Sequence, residues 1–421
     1  MIGLCDCNNF FVSCERVFRP DLERRPVVVL SNNDGCIIAR SNESKALGIK
    51  MGQPLYQVRH IIQQYKVTIF SSNYNLYGDM SKRVFQTVKE KVPSIEIYSI
   101  DEAFIDFSGI ATEESVRIAR ELVRTIRRNT GIPVSIGISP TKTLAKIASK
   151  LCKQYPKLEG VCLLHRPEDI TKVLSKFPIE DVWGIGRRYS KMLHTCGVKN
   201  AEEFRALPEE WVLSRMSIVG VRTWRELHGT RSIEFDDRES DKKSIMVSRS
   251  FAKELTTSAE LQESLTTFIA QAATRLRKQQ SVASEMQIFI ATNRHREDKP
   301  QHHASEVIRF GIATDSTLDM VKEGIKLLHQ IFRNGYEYKK AGVLLSNIQS
   351  KKNLQIGLFD DVEHIKKQDA IMQTIDSITQ RFGNSALVVG TQTTTSASKS
   401  NSNHRSPEYT TKWSDIITVK I

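Results

Sequence analysis

The 421-residue chain is short of paired cysteines, of long apolar runs and of acid. Its seven cysteines, at 5, 7, 14, 36, 152, 162 and 196, are odd in number and include no Cys-x-x-Cys pair. They read as reduced, mostly buried thiols, which excludes a disulfide framework and a structural zinc site. No apolar run reaches the ~20 residues of a membrane-spanning helix. Asp6 interrupts the first apolar run too early for a signal peptide, no basic leader precedes it, and no lipidation motif or basic amphipathic anchor follows. The expected location is therefore the cytoplasm. Against 61 Lys and Arg stand only 48 Asp and Glu, a formal net charge of +13 that favours a polyanionic partner, nucleic acid before membrane. With 40% hydrophobic and 26% charged residues the composition is that of a globular protein, long enough for roughly two to four domains.

What the sequence does have is an acidic pair in an apolar setting. In Ile95–Phe107, two β-prone runs of alternating pattern flank Asp101 and Glu102, which reads as a tight hairpin or strand-to-strand bend. Most acidic pairs at turns are simply solvated. Held between apolar strands, however, two adjacent anions repel and lose hydration, and oxygen-only donors suit a hard cation such as Mg²⁺. A third carboxylate, Asp6, ends the short apolar strand Ile2–Cys7, pointing opposite to Cys5 and Cys7. If that strand lies beside the bend, three carboxylates converge and suffice for two divalent ions about 4 Å apart, the arrangement for in-line attack on phosphorus. Phe10 and Phe11 follow at once; one is expected in the core and the other against a bound sugar. Arg40 and Lys45 begin a short helix closed by Gly48 and are placed to meet a triphosphate, unless both are solvated surface charges.

The order strand, helix, strand hairpin, helix, strand, helix over the first 150 or so residues resembles a ferredoxin-like α+β layer, with 19–70 inserted as a small subdomain. Lys142 and Lys146 share a face of the helix after Pro140. Gly184-Ile185-Gly186 lies between two short helices, as in a helix-hairpin-helix turn whose backbone N–H groups bind a DNA phosphate. Arg187, Arg188 and Lys191 suit further phosphate contacts, and Ile218–Val221 is a weaker second copy. Phe235–Lys243 reads as a charged linker. Beyond it the pattern strand-helix-strand-strand-helix-strand marks a second module, with strands expected at 244–255, 285–292, 307–312 and 341–348. Arg249 and Lys253 on its first strand are candidates for a DNA groove. In Gln355–Phe359, Leu358 and Phe359 are candidate anchors for a partner pocket. Thr391–Ser406 is Ser/Thr/Asn-rich and expected to be disordered. Tyr409, Trp413, Ile416, Ile417 and Val419 then form an apolar cluster suited to docking.

With Asp6, Ser99-Ile-Asp-Glu102, Asp181-Val-Trp-Gly-Ile-Gly-Arg-Arg188 and Gln355–Phe359 in hand, the chain closely resembles the Y-family DNA polymerases over nearly its whole length. Phe18–Leu22, Pro26–Cys36 and Phe70–Tyr74 carry the same resemblance. It implies a multi-domain right-hand polymerase of α+β class. The ferredoxin-like palm would be 1–18 and 71–168, the small fingers 19–70, the helical helix-hairpin-helix thumb 169–235 and the linker 236–246. The four-stranded α+β little finger would be 247–350, the clamp-binding peptide 351–361 and the partner-binding tail 362–421. It further implies that Asp6, Asp101, Glu102 and the Cys7 carbonyl bind two Mg²⁺, that Phe11 is the steric gate against a ribose 2′-hydroxyl, and that Lys45 and Lys146 bind triphosphate. Many members carry Tyr at the gate, and a Tyr where this chain has Asn42. Implied partners are primed damaged DNA, dNTPs, the sliding clamp, processed UmuD dimer and the RecA filament, in SOS mutagenesis. No carboxylate motif typical of a proofreading exonuclease is present. Two rival readings are a nucleotidyl cyclase, which shares the palm but does not need the thumb or second module, and a non-catalytic checkpoint protein that occupies stalled forks.

Overall fold

The computed structural model describes residues 1–238, 241–355, 357, 361–383, 386–390, 392 and 401–418. β1 (Ile2–Cys7) is buried along almost its whole length because it runs through the centre of a sheet, not along an edge. Asn9, in a left-handed conformation with φ 48°, turns the chain into α1 (Phe10–Phe18). A small sheet follows: β2 (Val27–Leu30), β3 (Ile37–Arg40), then α2 (Asn42–Ala46), α3 (Leu55–Gln64) and β4 (Thr68–Ser71), in strand order β3-β2-β4. Val28, Leu30, Ile37, Ile49, Val58 and Val67 give it a core of its own.

α4 (Tyr74–Lys89) leads back to the first sheet, completed by β5 (Ile95–Ile97), β6 (Glu102–Asp106), α5 (Thr112–Thr130), β7 (Val134–Ser139), α6 (Lys142–Gln154) and β8 (Val161–Leu163). Its strand order is β5-β6-β1-β7-β8, with β1 antiparallel to both neighbours. Strand alternation sorts the side chains onto two faces. Cys5, Cys7, Ala103 and Ile105 pack under α1, α4 and α5 with Val12, Leu76, Met80 and Leu122. Ile2, Leu4 and Phe104 face the other way, onto Ala145 of α6. Asp6 and Glu102 share the parity of Leu4 and Phe104, and so sit on the side that α6 covers.

Four helices complete this part: α7 (Pro167–Leu174), α8 (Arg187–Thr195), α9 (Ala201–Arg205) and α10 (Glu209–Leu227), the last broken at Ser217, φ 60°. They pack Leu174, Phe177, Ile179, Leu193, Phe204 and Val212 against Leu144, Ile147 and Ala148 of α6. One buried anion ties them down. Glu226 accepts the Thr143 N–H at the start of α6 at 2.9 Å and the Ser232 and Ile233 N–H groups at 2.9 and 3.2 Å. A carboxylate at a helix N-terminus is favoured, and its loss leaves buried donors unpaired. Glu226→Ala is expected to cost about 3 kcal/mol of stability and Glu226→Gln about half as much, checked by denaturant unfolding.

The described residues form two compact units, 1–238 with the chain end from 402, and 239–401. In the second, β9 (Ile245–Leu255), α11 (Ser258–Lys278), β10 (Ser281–Thr292), β11 (His303–Thr314), α12 (Thr317–Ile331) and β12 (Tyr338–Ser350) follow the expected order. They build an antiparallel sheet β11-β10-β12-β9 with both helices on one face. Three strands run longer than the apolar alternation predicts, because their outer ends carry polar residues.

Two features depart from expectation. α13 (Val362–Phe382) is a long helix in what reads as tail; Met372 is buried, and Asp376 pairs with Arg277 at 2.7 and 2.8 Å. Within Thr391–Ser406, expected to be disordered, His404 and Ser406 are instead seated on the first unit: Ser71 at the end of β4 donates its N–H to the His404 carbonyl at 3.0 Å, and Ser406 is buried. Leu358, Phe359 and Val419 lie outside the described residues. Among the described residues no helix is long and apolar enough to cross a membrane.

Candidate active site

The β1–β6 ladder sets Asp6 directly opposite Glu102, and beyond the ladder the Cys7 N–H donates to the Asp101 carbonyl at 2.9 Å. Thus Asp6, Cys7, Asp101 and Glu102 meet at one end of the sheet. The bend that presents the acids is built by Ser99. Its hydroxyl accepts the Glu102 N–H at 3.0 Å and donates to Asp101 Oδ1 at 2.6 Å, while Tyr98 and Ser99 give their N–H groups to the Glu102 carbonyl, each at 3.0 Å. β6 therefore begins at Glu102, one residue before the alternation suggests.

Because Asp6 and Glu102 face α6, lysines of that helix reach them. Lys153 Nζ is 2.6 Å from Asp6 Oδ1, and Lys146 Nζ is 3.0 and 2.8 Å from the two Glu102 oxygens. Lys146 also lies 4.5 Å above the Tyr98 ring and 5.3 Å from the Trp183 ring, and Trp183 Nε1 donates to Tyr98 Oη at 3.1 Å. Lys142, on the same helix, is buried against Glu96 at 2.6 Å and is occupied in the fold. Burial pushes the Asp6 carboxyl up to about 6; Lys153 opposes this, and the charges of Glu102 and Asp101 add to it.

A second group of cations lies alongside. Lys45 Nζ donates to Asn9 Oδ1 at 2.6 Å and Asn42 Oδ1 at 3.2 Å. Its pKa is held down by burial first and then by the charges of Lys153 and Arg40. The Arg40 guanidinium donates to the Ile49 carbonyl. Mutually repelling cations favour a bound anion such as a phosphate chain. Lys153 belongs to this group and is absent from the sequence-based candidates, although Lys146, Lys150 and Lys153 fall at i, i+4 and i+7 on one helical face.

Of the two aromatics, Phe10 is buried in the core and Phe11 is half-buried at its edge. The Phe11 ring stacks on Tyr77 at 4.5 Å and 15°, and meets Tyr74 edge-on at 5.9 Å.

A family model described as the impB/mucB/samB family matches residues 5–150, its C-terminal domain matches 242–358, and a domain of unknown function matches 369–419. Over the full length of both chains the sequence is 37% identical to Protein UmuC and 36% identical to Protein ImpB, both of Salmonella typhimurium. The chain belongs to the impB/mucB/samB family. A DNA polymerase IV of Oceanobacillus iheyensis is 25% identical across 91% of this chain and 89% of its own. Among solved structures, a Y-family DNA polymerase chimera of Dbh and Dpo4 superposes with TM-score 0.68 at 19% identity, over 83% of this chain and all of its own. A Dbh DNA polymerase insertion ternary complex gives 0.56 at 20% identity, with the same coverage. The impB/mucB/samB chain thus has the Y-family polymerase fold.

Among the described residues no three carboxylate, thiol or imidazole groups stand close enough together to hold a metal ion. The side chains of Asp6 and Glu102 are each turned to a lysine. The donor set nevertheless suits a divalent metal. It is all oxygen, and burial and neighbouring anions push the Asp6 carboxyl up, so a hard cation relieves a real excess of negative charge.

The remaining candidates lie elsewhere. Gly184 has φ 93°, and a Cβ there would meet Thr223 Oγ1 at 2.6 Å; Gly186 is the N-cap of α8, with Arg187 and Arg188 exposed in its first turn. The second copy at Ile218–Val221 directly follows the break at Ser217 and exposes Ile218 and Val219. On β9 Arg249 is half-buried and Lys253 exposed, while Gln355 ends the described part of the peptide before 356.

Proposed function

We propose that this chain is an error-prone translesion DNA polymerase, adding dNMP from dNTP to a primer 3′-hydroxyl on damaged template, with Mg²⁺ as its metal. The primer oxygen attacks the α-phosphorus and pyrophosphate leaves. What supports this reading is the meeting of Asp6, Cys7, Asp101 and Glu102 at one strand end, beside the Lys45, Lys153 and Arg40 cations. When bound, two Mg²⁺ supply positive charge to the attacking oxygen, the α-phosphate and the leaving group.

This chain's residues supply the rest. The carboxylates of Asp6, Asp101 and Glu102 and the Cys7 carbonyl would hold the metals, while Lys146 and Lys153 pair with Glu102 and Asp6. Lys45 and Arg40 then take the triphosphate, and Phe11 lies against the sugar. Gly184, Gly186, Arg187 and Arg188 contact the DNA backbone, and Arg249 and Lys253 are separate candidates for DNA contact. Gln355, Leu358 and Phe359 engage a sliding clamp, and the tail engages processed UmuD and the RecA filament.

Phe11 offers a clean test. Phe11→Ala removes the ring that denies space to a 2′-hydroxyl, so ribonucleotide insertion relative to deoxyribonucleotide is expected to rise on the order of 100-fold. Single-nucleotide insertion kinetics with dCTP and CTP opposite template G check it. An unchanged ratio would remove Phe11 from the sugar pocket.

A further inference from the structure

The chain end is seated on the same helices that carry Phe11, Tyr74 and Tyr77. Ser71 gives its N–H to the His404 carbonyl at 3.0 Å and receives the His404 N–H on its hydroxyl at 3.0 Å, so residues 404–405 extend the free edge of β4 by one parallel bridge. Next along, Ser406 is buried. The fully buried Asn73, N-cap of α4, donates to the Ser406 carbonyl and hydroxyl, both at 3.0 Å, and to the Pro407 carbonyl at 3.1 Å. Tyr409 then stacks on Phe18 of α1 at 4.6 Å and 12°.

Ser406 does more than fill space. Its hydroxyl donates to Glu15 Oε1 at 3.0 Å, and the same oxygen accepts the Tyr77 hydroxyl at 2.6 Å. Glu15 is fully buried, its other oxygen finds no partner among the described residues, and burial pushes its carboxyl up to about 7. It lies one helical turn from Phe11 on α1, and Tyr77 spans the two, with its ring on Phe11 and its hydroxyl on Glu15.

We propose that the chain end from Arg405 to Tyr409 is a built-in brace behind Phe11, the ring read above as lying against the nucleotide sugar. Ser406 holds Glu15, Glu15 holds Tyr77, and Tyr77 backs Phe11, so Ser406 is a positioning residue that sets how strictly the site rejects ribonucleotides. The inference rests on the reading of Phe11 as the ring against the sugar. It assigns a role to the end of a segment matched only by a domain of unknown function. Without the Ser406 hydroxyl the buried Glu15 carboxylate keeps Tyr77 as its one side-chain donor among the described residues, so its position, and that of the Tyr77 ring it anchors, is held less tightly.

The experiment compares ribonucleotide with deoxyribonucleotide insertion by full-length wild type, Ser406→Ala, Ser406→Thr, Tyr409→Ala and Phe11→Ala, each first checked for folding by thermal melting. Ser406→Ala should lower sugar discrimination about tenfold, mainly through KM, with kcat for dNTP within about twofold of wild type; Ser406→Thr, which keeps the hydroxyl, should restore it. Tyr409→Ala, which loosens the seat from outside the buried cluster, should act in the same direction and decides the matter if Ser406→Ala does not fold. If both variants discriminate like wild type while Phe11→Ala does not, the inference is wrong and the gate reading stands. If Phe11→Ala also discriminates like wild type, the gate reading fails and the inference falls with it.

Discussion

Asp101→Ala is expected to lower primer extension by at least about 1,000-fold while leaving the fold and DNA binding intact. The fold is spared because Asp101 contributes to it through its backbone: its carbonyl accepts the Cys7 N–H, and alanine keeps that bond. Among the described residues the half-exposed side chain takes part in one hydrogen bond, accepting the Ser99 hydroxyl at 2.6 Å. That is a small structural role, worth about 1 kcal/mol. Chemistry is not spared on the proposed reading, in which three carboxylates shared between two metals would leave no spare ligand. Single-turnover extension, with DNA affinity measured by anisotropy, separates the two effects. Extension within tenfold of wild type would mean that the metals, if any, sit elsewhere. A nucleotidyl cyclase would instead consume nucleotide without a primer.

Gly137→Ala is expected to be among the most destabilising single changes in the chain, at about 3 kcal/mol. Gly137 lies in β7 opposite Leu4, where α6 crosses the sheet closely. A Cβ there would stand 2.2 Å from the Ser149 nitrogen, 2.3 Å from the Ala145 oxygen and 2.7 Å from the Ala148 carbonyl carbon. All three are backbone atoms, so no side chain can swing away, and the helix itself must back off the sheet. That motion also draws Lys146 and Lys153 off Glu102 and Asp6, so activity of the folded fraction should fall as well. Gly186→Ala, with ordinary φ and nothing within 4 Å of the added carbon, is the control and should unfold like wild type. Urea denaturation of the two variants checks both statements.

How much of this was legible beforehand follows from where each signal resides. The acidic bend stands out because period-two alternation on both sides isolates Asp101 and Glu102, and Asp6 stands out because a carboxylate at the end of an apolar strand is anomalous. Parity along β1 and β6 even places the acids on one face. Which helix covers that face is a tertiary fact, and so the pairing of Lys146 with Glu102 and of Lys153 with Asp6 was hidden. Which of Phe10 and Phe11 is buried was hidden from periodicity for the same reason, since it depends on where α4 brings Tyr77, although the resemblance had already pointed to Phe11. α13 carries a thin apolar stripe, Ile365, Met372 and Ile375, that a heptad count finds but its polar length conceals. The seat of Ser406 has no periodic signature at all. It is made of hydrogen bonds to the end of a strand edge and to a helix cap, and composition alone marks that stretch as disordered.

The most direct test of the whole account is Mg²⁺-dependent extension of a primed template containing an abasic site by the purified chain, with and without processed UmuD and the RecA filament. The account predicts stepwise primer extension past the lesion that stops when Mg²⁺ is chelated. Tight binding to the same DNA with no extension under any of these conditions would contradict it and leave a protein that only occupies stalled forks.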